Sequence, residues 1–153
     1  MAKLSKLFAT DKTKETGGVW IKNIGGLDLL IGRSGTPEYE NTLRKLGKPH
    51  LRQLRSGTID ADLAKTVEEM QIKALAEHCL LGWQHLEDDN GQPIEYSRAK
   101  AAELMLQHRD FYRQVLELAA DIDNFRVETL EESRGNSLPA SSGTSTGVST
   151  QKS

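Results

Sequence analysis

The sequence predicts an α+β fold that is mainly α-helical, in which an N-terminal β-hairpin is followed by four to five helices and a disordered C-terminal tail. Three observations support this prediction. Two short β-prone runs flank a pair of glycines near the N-terminus, and apolar residues recur at helical spacing through the middle of the chain. The last nineteen residues, 135–153, hold six Ser, three Thr and three Gly, too few apolar groups to offset the entropy of ordering. A length of 153 residues suits one domain with tails.

The N-terminal part of the chain changes character after a lysine-rich stretch. Residues 1–16 are rich in Lys, Thr and Ser and hold too few apolar side chains to fold alone, so we expect a flexible arm. Residues 19–31 contain two β-prone runs separated by Gly25 and Gly26, which adopt positive φ at little cost. The sequence therefore predicts a hairpin over residues 19–31, at the start of a helical domain spanning 17–134.

Helix signals follow the hairpin. Thr36 suits an N-cap and Pro37 the first helical position. Apolar residues nearly encircle the axis between Ile72 and Trp83, which is typical of a helix buried in the middle of a fold. The predicted helices span residues 37–46, 60–82, 97–107 and 110–130, with a short additional piece over 50–55. We take the second as the core helix.

A turn is predicted between the core helix and the next helix. Asp89-Asn90-Gly91 marks it, and an Asn-Gly pair favours the primed turn type that closes a tight hairpin. Trp83 is expected where the core helix meets this turn. Cys79 is the single cysteine, so it forms no internal disulfide, and we expect a small buried apolar residue.

Charge is distributed unevenly along the chain. Arg33–Arg55 holds six basic and two acidic residues, for a net charge of +4, whereas Asp60–Glu95 holds nine acidic and two basic residues, for −7. We interpret these segments as two solvated surfaces that could face one another.

The basic residues of segment 44–55 also permit a second interpretation, in which they bind the phosphates of a nucleic acid. The alternative function is therefore a small nucleic-acid-binding or regulatory protein. Against it, the segment has one nearby aromatic residue, Tyr39, and no recognition-helix or RNA-binding signature. The net charge of the whole chain, −2, gives no general attraction to nucleic acid or anionic lipid.

Catalytic and cofactor motifs are missing from the sequence. It has no Gly-x-Ser-x-Gly, no phosphate-binding Gly-x-x-x-x-Gly-Lys, no Gly-x-Gly-x-x-Gly and no His-Glu-x-x-His. We therefore expect no enzymatic activity, no catalytic residue and no cofactor. The sequence also has no apolar run long enough to span a bilayer and no signal peptide, which predicts a cytosolic protein without a membrane partner.

Two possible metal sites fail on spacing. An EF-hand calcium loop has glycine at its sixth position. If Gly91 were that glycine, the first position would be Leu86, where a carboxylate is needed. His78 and Cys79 would point about 100° apart on a helix, and with His85 they still lack a fourth zinc ligand. We expect no metal site.

The last predicted helix carries an apolar stripe whose members recur at intervals of four, three, four and three. Packing into the core explains this stripe, but a helix that lies in a partner's groove uses the same spacing. The candidate partner-binding residues are Phe111, Val115, Leu118, Ile122 and Phe125.

Several segments, taken in order, are similar to one family. They are Phe8-Ala9-Thr10-Asp11, Gly18-Val19-Trp20-Ile21, Ile31-Gly32-Arg33, Pro37-Glu38-Tyr39, Leu80-Leu81-Gly82-Trp83, Asp88-Asp89-Asn90-Gly91-Gln92-Pro93-Ile94, Tyr96-Ser97 and Asn124-Phe125. Their order and spacing resemble the tail assembly chaperones of long-tailed, siphovirus-type bacteriophages and prophages. The resemblance covers about residues 8–126.

The resemblance implies a non-enzymatic helper of phage tail morphogenesis. Such a protein binds the tape measure protein and keeps it soluble until tail tube subunits polymerise around it. The resemblance further implies a location in the bacterial host cytoplasm, absence from the mature virion, contact with the tail tube protein through a longer frameshifted form, and a possible homo-oligomer. No catalytic or client-binding residue is transferred from the family.

Overall fold

The computed structural model describes residues 1–127 and confirms the predicted fold class over that range. In chain order its elements are α1 (Leu4–Leu7), α2 (Lys12–Gly17), β1 (Val19–Ile24), β2 (Leu27–Ile31), α3 (Pro37–Gly47), a 3₁₀ turn (Lys48–His50), α4 (Leu51–Arg55), α5 (Ala61–His78), β3 (Leu80–Gln84), α6 (Arg98–Gln107), α7 (Arg109–Ala120) and a second 3₁₀ turn (Ile122–Phe125). The expected tail over 135–153 lies outside the described residues.

The predicted hairpin is confirmed. β1 and β2 are antiparallel, with Val19 opposite Ile31 and Ile24 opposite Leu27. Gly25 and Gly26 form the turn, and both adopt positive φ, as glycine does at little cost. The strand order of the sheet is β1-β2-β3, so β2 lies in the middle.

Side-chain caps fix the starts of α3 and α6 where the sequence predicts them. Thr36 Oγ1 accepts a hydrogen bond from the backbone N–H of Tyr39 at 3.2 Å, and Pro37 occupies the first position of α3. Ser97 Oγ accepts one from the N–H of Lys100 at 3.0 Å. Each cap satisfies an N–H group that has no partner inside its helix.

The predicted core helix over 60–82 is wrong in its last part. α5 ends at His78, and Leu80–Gln84 forms β3, which pairs antiparallel with β2. A continuous apolar run fits a buried strand as well as a buried helix, and periodicity alone does not separate the two. Leu80–Gln84 forms a strand because it pairs with the open edge of β2. Trp83, expected where the core helix meets the turn, is buried and lies on β3.

The predicted helix over 110–130 is also too long within the described residues. α7 ends at Ala120, and Asp121 is extended, with φ −78° and ψ 107°. The Asp121 side chain accepts a hydrogen bond from the N–H of Asp123 and thereby starts a separate 3₁₀ turn. Local capping by an aspartate competes with continuation of the helix.

The core lies between the sheet and the helices α5, α6 and α7. Its largest fully buried side chains are Leu29, Ile31, Ile72, Leu75, Cys79, Leu80, Met105, Val115 and Phe125. No helix within residues 1–127 is long and apolar enough to cross a membrane.

The expected N-terminal arm contains two different parts. Residues 1–8 are exposed, whereas α2 is attached to the domain. The N–H of Asp11 donates to the carbonyl of Phe125 at 2.8 Å, and the N–H of Arg33 donates to the carbonyl of Glu15 at 2.9 Å. The Arg33 and Glu15 side chains also form an ion pair. The division of the chain at residue 17 stays a prediction, but these contacts fasten α2 and its N-cap residue to the segment that follows β2 and to the second 3₁₀ turn.

Candidate docking cleft and its charged surroundings

An open cleft of about 940 Å³ lies between the β1–β2 turn and the segment that follows β3. Partly buried side chains that also contact the hydrophobic core form most of its apolar wall. The apolar and aromatic side chains that line it are Ile24, Leu27, Trp83, Leu86, Ile94 and Tyr96. A concave site with this lining can accept a partner's apolar side chains.

Two aromatic residues hold the wall of the cleft in place. Trp83 donates its indole N–H to the carbonyl of Ile94 at 2.7 Å, and the Tyr96 hydroxyl donates to the carbonyl of Leu80 at 2.7 Å. Their rings meet edge to face, with centroids 4.9 Å apart. Because both polar atoms are paired inside the protein, the apolar faces of the rings are fixed without unsatisfied hydrogen bonds.

The outer rim of the cleft includes Glu87 and Glu95, which belong to the acidic loop, defined here as residues 87–95. Asp88 Oδ1 accepts hydrogen bonds from the N–H groups of Asn90 and Gln92, each at 2.9 Å. The predicted turn is present, but it is not the primed I′ type, since Gly91 has positive φ and Asn90 does not. The exposed carboxylates of the loop are those of Glu87, Asp88, Asp89 and Glu95.

His85 connects β3 to the acidic loop in an unusual conformation. Its φ of 67° lies in the left-handed region, which is uncommon for a residue other than glycine. The nearby Asp28 accepts a hydrogen bond from the N–H of Asn23 at 2.9 Å, and its other oxygen lies 3.8 Å from His85 Nε2. Asp28 thus bonds to β1 and lies beside His85, which lines the cleft.

A second surface carries the opposite charge and is named here the basic surface. It consists of the exposed side chains of Arg44, Lys45, Lys48, Arg52 and Arg55 together with the exposed apolar residues Leu51 and Ile59. Within residues 1–127, none of the five cations forms an ion pair. The two charged segments are therefore not joined by ion pairs in the described domain.

Residues 34–136 match the family model described as YdaY prophage protein. That match spans 103 of 153 residues. The chain belongs to this family. Searches of curated proteins and of solved structures found no match. The expected phage or prophage origin is thereby confirmed at the level of the family, whose description names no activity or partner.

The candidate partner-binding stripe of this prophage protein lies mostly against its own core. Val115 and Phe125 are fully buried, and Phe111, Leu118 and Ile122 are half-buried. A partner would reach Val115 only if α7 moved away from the core, and Phe125 only if the 3₁₀ turn after α7 did so. The assignment of this stripe to partner binding stays a prediction, and packing explains its spacing.

The residues considered for metal binding are separated in the structure. His78 ends α5, Cys79 is fully buried, and His85 lies beyond β3. Burial raises the pKa of the Cys79 thiol to about 12. Within residues 1–127, no group of three or more His, Cys, Asp or Glu residues could hold a metal ion.

His78 has a hydroxyl and a carboxylate beside it, which invites comparison with a catalytic triad. Its Nε2 lies 2.7 Å from Thr42 Oγ1 and 3.1 Å from Glu77 Oε2. In a catalytic triad the nucleophile contacts one ring nitrogen of the histidine and the carboxylate contacts the other. The first nitrogen accepts the proton of the nucleophile, and the carboxylate orients the ring and stabilises its charged form. Here the Thr42 hydroxyl and the Glu77 carboxylate contact the same nitrogen, Nε2. The arrangement therefore orients the His78 ring but is not that of a triad.

None of the residues that line the cleft was predicted from the sequence to belong to a site. Leu86, Ile94 and Tyr96 come together because the acidic loop folds back, and Ile24 and Leu27 join them from the hairpin. The available signal was the set of apolar residues on both sides of an acidic turn. A turn that is wholly exposed to solvent does not require apolar residues on both sides.

Proposed function

We propose that this prophage protein is a tail assembly chaperone that binds the tape measure protein and keeps it soluble during tail morphogenesis. The observation that carries the proposal is the cleft with its fixed aromatic wall and open mouth. Membership of a prophage family supports the phage context, and the sequence resemblance supports the class of client.

The chemistry of the client fits this kind of site. A long amphipathic helix is insoluble while its apolar face is uncovered. A cleft that accepts a few apolar side chains covers a short part of that face, and contacts of this size are displaceable. A chaperone that tube subunits must later replace needs contacts of this type.

The remaining parts of the proposal follow from the resemblance. The protein acts without catalysis in the bacterial host cytoplasm and is absent from the mature virion. A longer frameshifted form recruits the tail tube protein. The cleft provides the client contact in both forms.

Co-expression with the tape measure protein tests the proposal. Leu86→Gln places an amide in the wall of the cleft, and Leu106→Gln makes the same change at an exposed position, 55% accessible, outside the cleft lining. We expect the soluble fraction of the tape measure protein to fall with Leu86→Gln and to stay at the wild-type level with Leu106→Gln. Melting temperatures of both variants identify any effect of lost stability.

The alternative function, nucleic-acid binding by segment 44–55, is favoured by one observation, the unpaired cations of the basic surface. Phosphate contacts made by several Lys and Arg residues give strongly salt-dependent affinity. If purified protein retains DNA in a salt-sensitive manner and leaves the tape measure protein insoluble, the regulator replaces the chaperone as the function.

A further inference from the structure

We propose that, in the absence of client, the cleft of one copy binds the basic surface of a second copy. The proposal concerns regulation of the cleft, and it rests on the proposed function only for the identity of the client that competes. Its occupant is the segment around α4, which combines cations with exposed apolar side chains.

The charges of the two surfaces are complementary and unused. The acidic loop presents four exposed carboxylates, and none of them forms an ion pair within residues 1–127. The five cations of the basic surface are equally unpaired. Opposite charges that are not neutralised inside one molecule favour a specific encounter between two molecules.

The apolar groups of the two surfaces are also complementary. Leu51 is 40% exposed and Ile59 is 63% exposed, and both lie close in sequence to Arg52 and Arg55. The cleft offers an apolar wall behind an acidic rim. A copy that presents Leu51 to the wall would bring Arg55, four residues further along α4, to the same side, where Glu87 and Glu95 form the rim.

The same chain does not make this contact in the described structure. The lining of the cleft contains no residue of α3 or α4. The two surfaces occupy different parts of one molecule, so contact between copies is head-to-tail and not self-complementary. Such contacts build rings or open chains. A client that fills the cleft would end this growth and release single copies.

A pair of complementary variants tests the inference. Arg52→Glu/Arg55→Glu reverses two of the five cations of the basic surface and leaves the cleft intact, whereas Glu87→Lys/Glu95→Lys reverses the two carboxylates at the rim and leaves the basic surface intact. All four positions are exposed, so we expect both folds to survive, and circular dichroism checks this. Lys65→Glu/Lys73→Glu is the matched control, because it makes the same change in charge at exposed positions outside the basic surface.

Sedimentation velocity gives the readout. At about 0.05 M salt we expect nuclease-treated wild type and the lysine control to form assemblies that dissociate at about 0.5 M, where screening is strong. Each double variant alone should be monomeric. Their equimolar mixture should associate again, because the intact cleft of one variant meets the intact basic surface of the other and the two charge-reversed surfaces are also complementary.

Monomeric wild type at low salt, or a mixture that stays monomeric, overturns the inference. Association that disappears on nuclease treatment overturns it as well and assigns the basic surface to nucleic acid. The proposed function fails by a separate result. If wild type self-associates as expected but leaves the tape measure protein insoluble, self-association stands and the chaperone function does not.

Discussion

The indole N–H of Trp83 lies 2.7 Å from the carbonyl oxygen of Ile94 and thereby joins β3 to the far end of the acidic loop. Trp83 is 8% exposed. We expect Trp83→Ala to lower the free energy of unfolding by about 3 to 5 kcal/mol. Trp83→Phe keeps an aromatic ring but leaves the Ile94 carbonyl without its donor, at a cost of about 1 to 3 kcal/mol. Urea denaturation measures both, and equal stability of all three proteins would show that this side chain carries no packing energy.

Gly32 has no room for a side chain. A Cβ at this position would lie 2.4 Å from the carbonyl oxygen of His78 and 3.1 Å from that of Glu15. Both obstacles are backbone atoms, so we expect Gly32→Ala to lower the free energy of unfolding by about 2 kcal/mol or more. Gly17→Ala is the control, because nothing lies within 4 Å of its added Cβ. A Gly32→Ala protein that unfolds at the same urea concentration as the control would contradict the observed approach of the two segments.

The ion pair of Glu15 and Arg33 predicts a dependence of stability on acid. Burial raises the pKa of Glu15, but hydrogen bonds from Thr10 and Arg33 and the charge of Arg33 outweigh it, so the pKa lies below the ordinary 4.5. A carboxylate whose folded pKa is lowered contributes its full stability above the unfolded value and loses it as pH falls through the folded pKa. The difference in unfolding free energy between wild type and Glu15→Gln should therefore be constant near neutral pH and shrink below pH 4.5. A difference that grows on acidification would reverse the assignment.

Cys79 should be chemically inert in the folded protein. Its side chain is fully buried, and burial raises its pKa to about 12, so little reactive thiolate forms near pH 8. We expect iodoacetamide to label Cys79 in urea and to leave it unlabelled in buffer, as measured by mass spectrometry. Equal labelling rates in the two conditions would show that α5 and β3 separate readily.

Removal of residues 135–153 should leave the domain intact. This segment is predicted from its composition to be too polar to join the core, so truncation after Arg134 should change the free energy of unfolding by no more than about 0.5 kcal/mol. In the chaperone proposal, the truncated form also keeps the tape measure protein soluble. Loss of client solubility with the truncation alone would place client binding in the tail.

Features set by neighbouring residues were predictable from the sequence. The Thr36 cap and the hairpin glycines depend on chemistry within a few residues, and the structure has them at the expected positions. β3 was not predictable in the same way. Leu80–Gln84 suits a helix or a strand equally, and its choice depends on β2, which lies about fifty residues earlier in the chain.

The attachment of α2 and the cleft were missed for a related reason. In the sequence, nothing distinguishes Glu15 from other glutamates near lysines. Its ion pair with Arg33 forms only when the fold brings the two side chains together. The cleft combines the hairpin turn with both arms of the acidic loop, so no continuous stretch of sequence displays it. The apolar periodicity revealed the stripe from Phe111 to Phe125. It indicates that this face is covered, but it does not distinguish the protein's own core from a partner.

The hydrogen bond between Asp11 and Phe125 places the entry and the exit of the described chain side by side. The pairing of Thr10 with Arg126 reinforces this arrangement. Anything fused ahead of α2 therefore emerges next to whatever follows Val127. Affinity tags or fluorescent proteins fused directly ahead of α2 or directly after Val127 would therefore crowd the same side of the molecule.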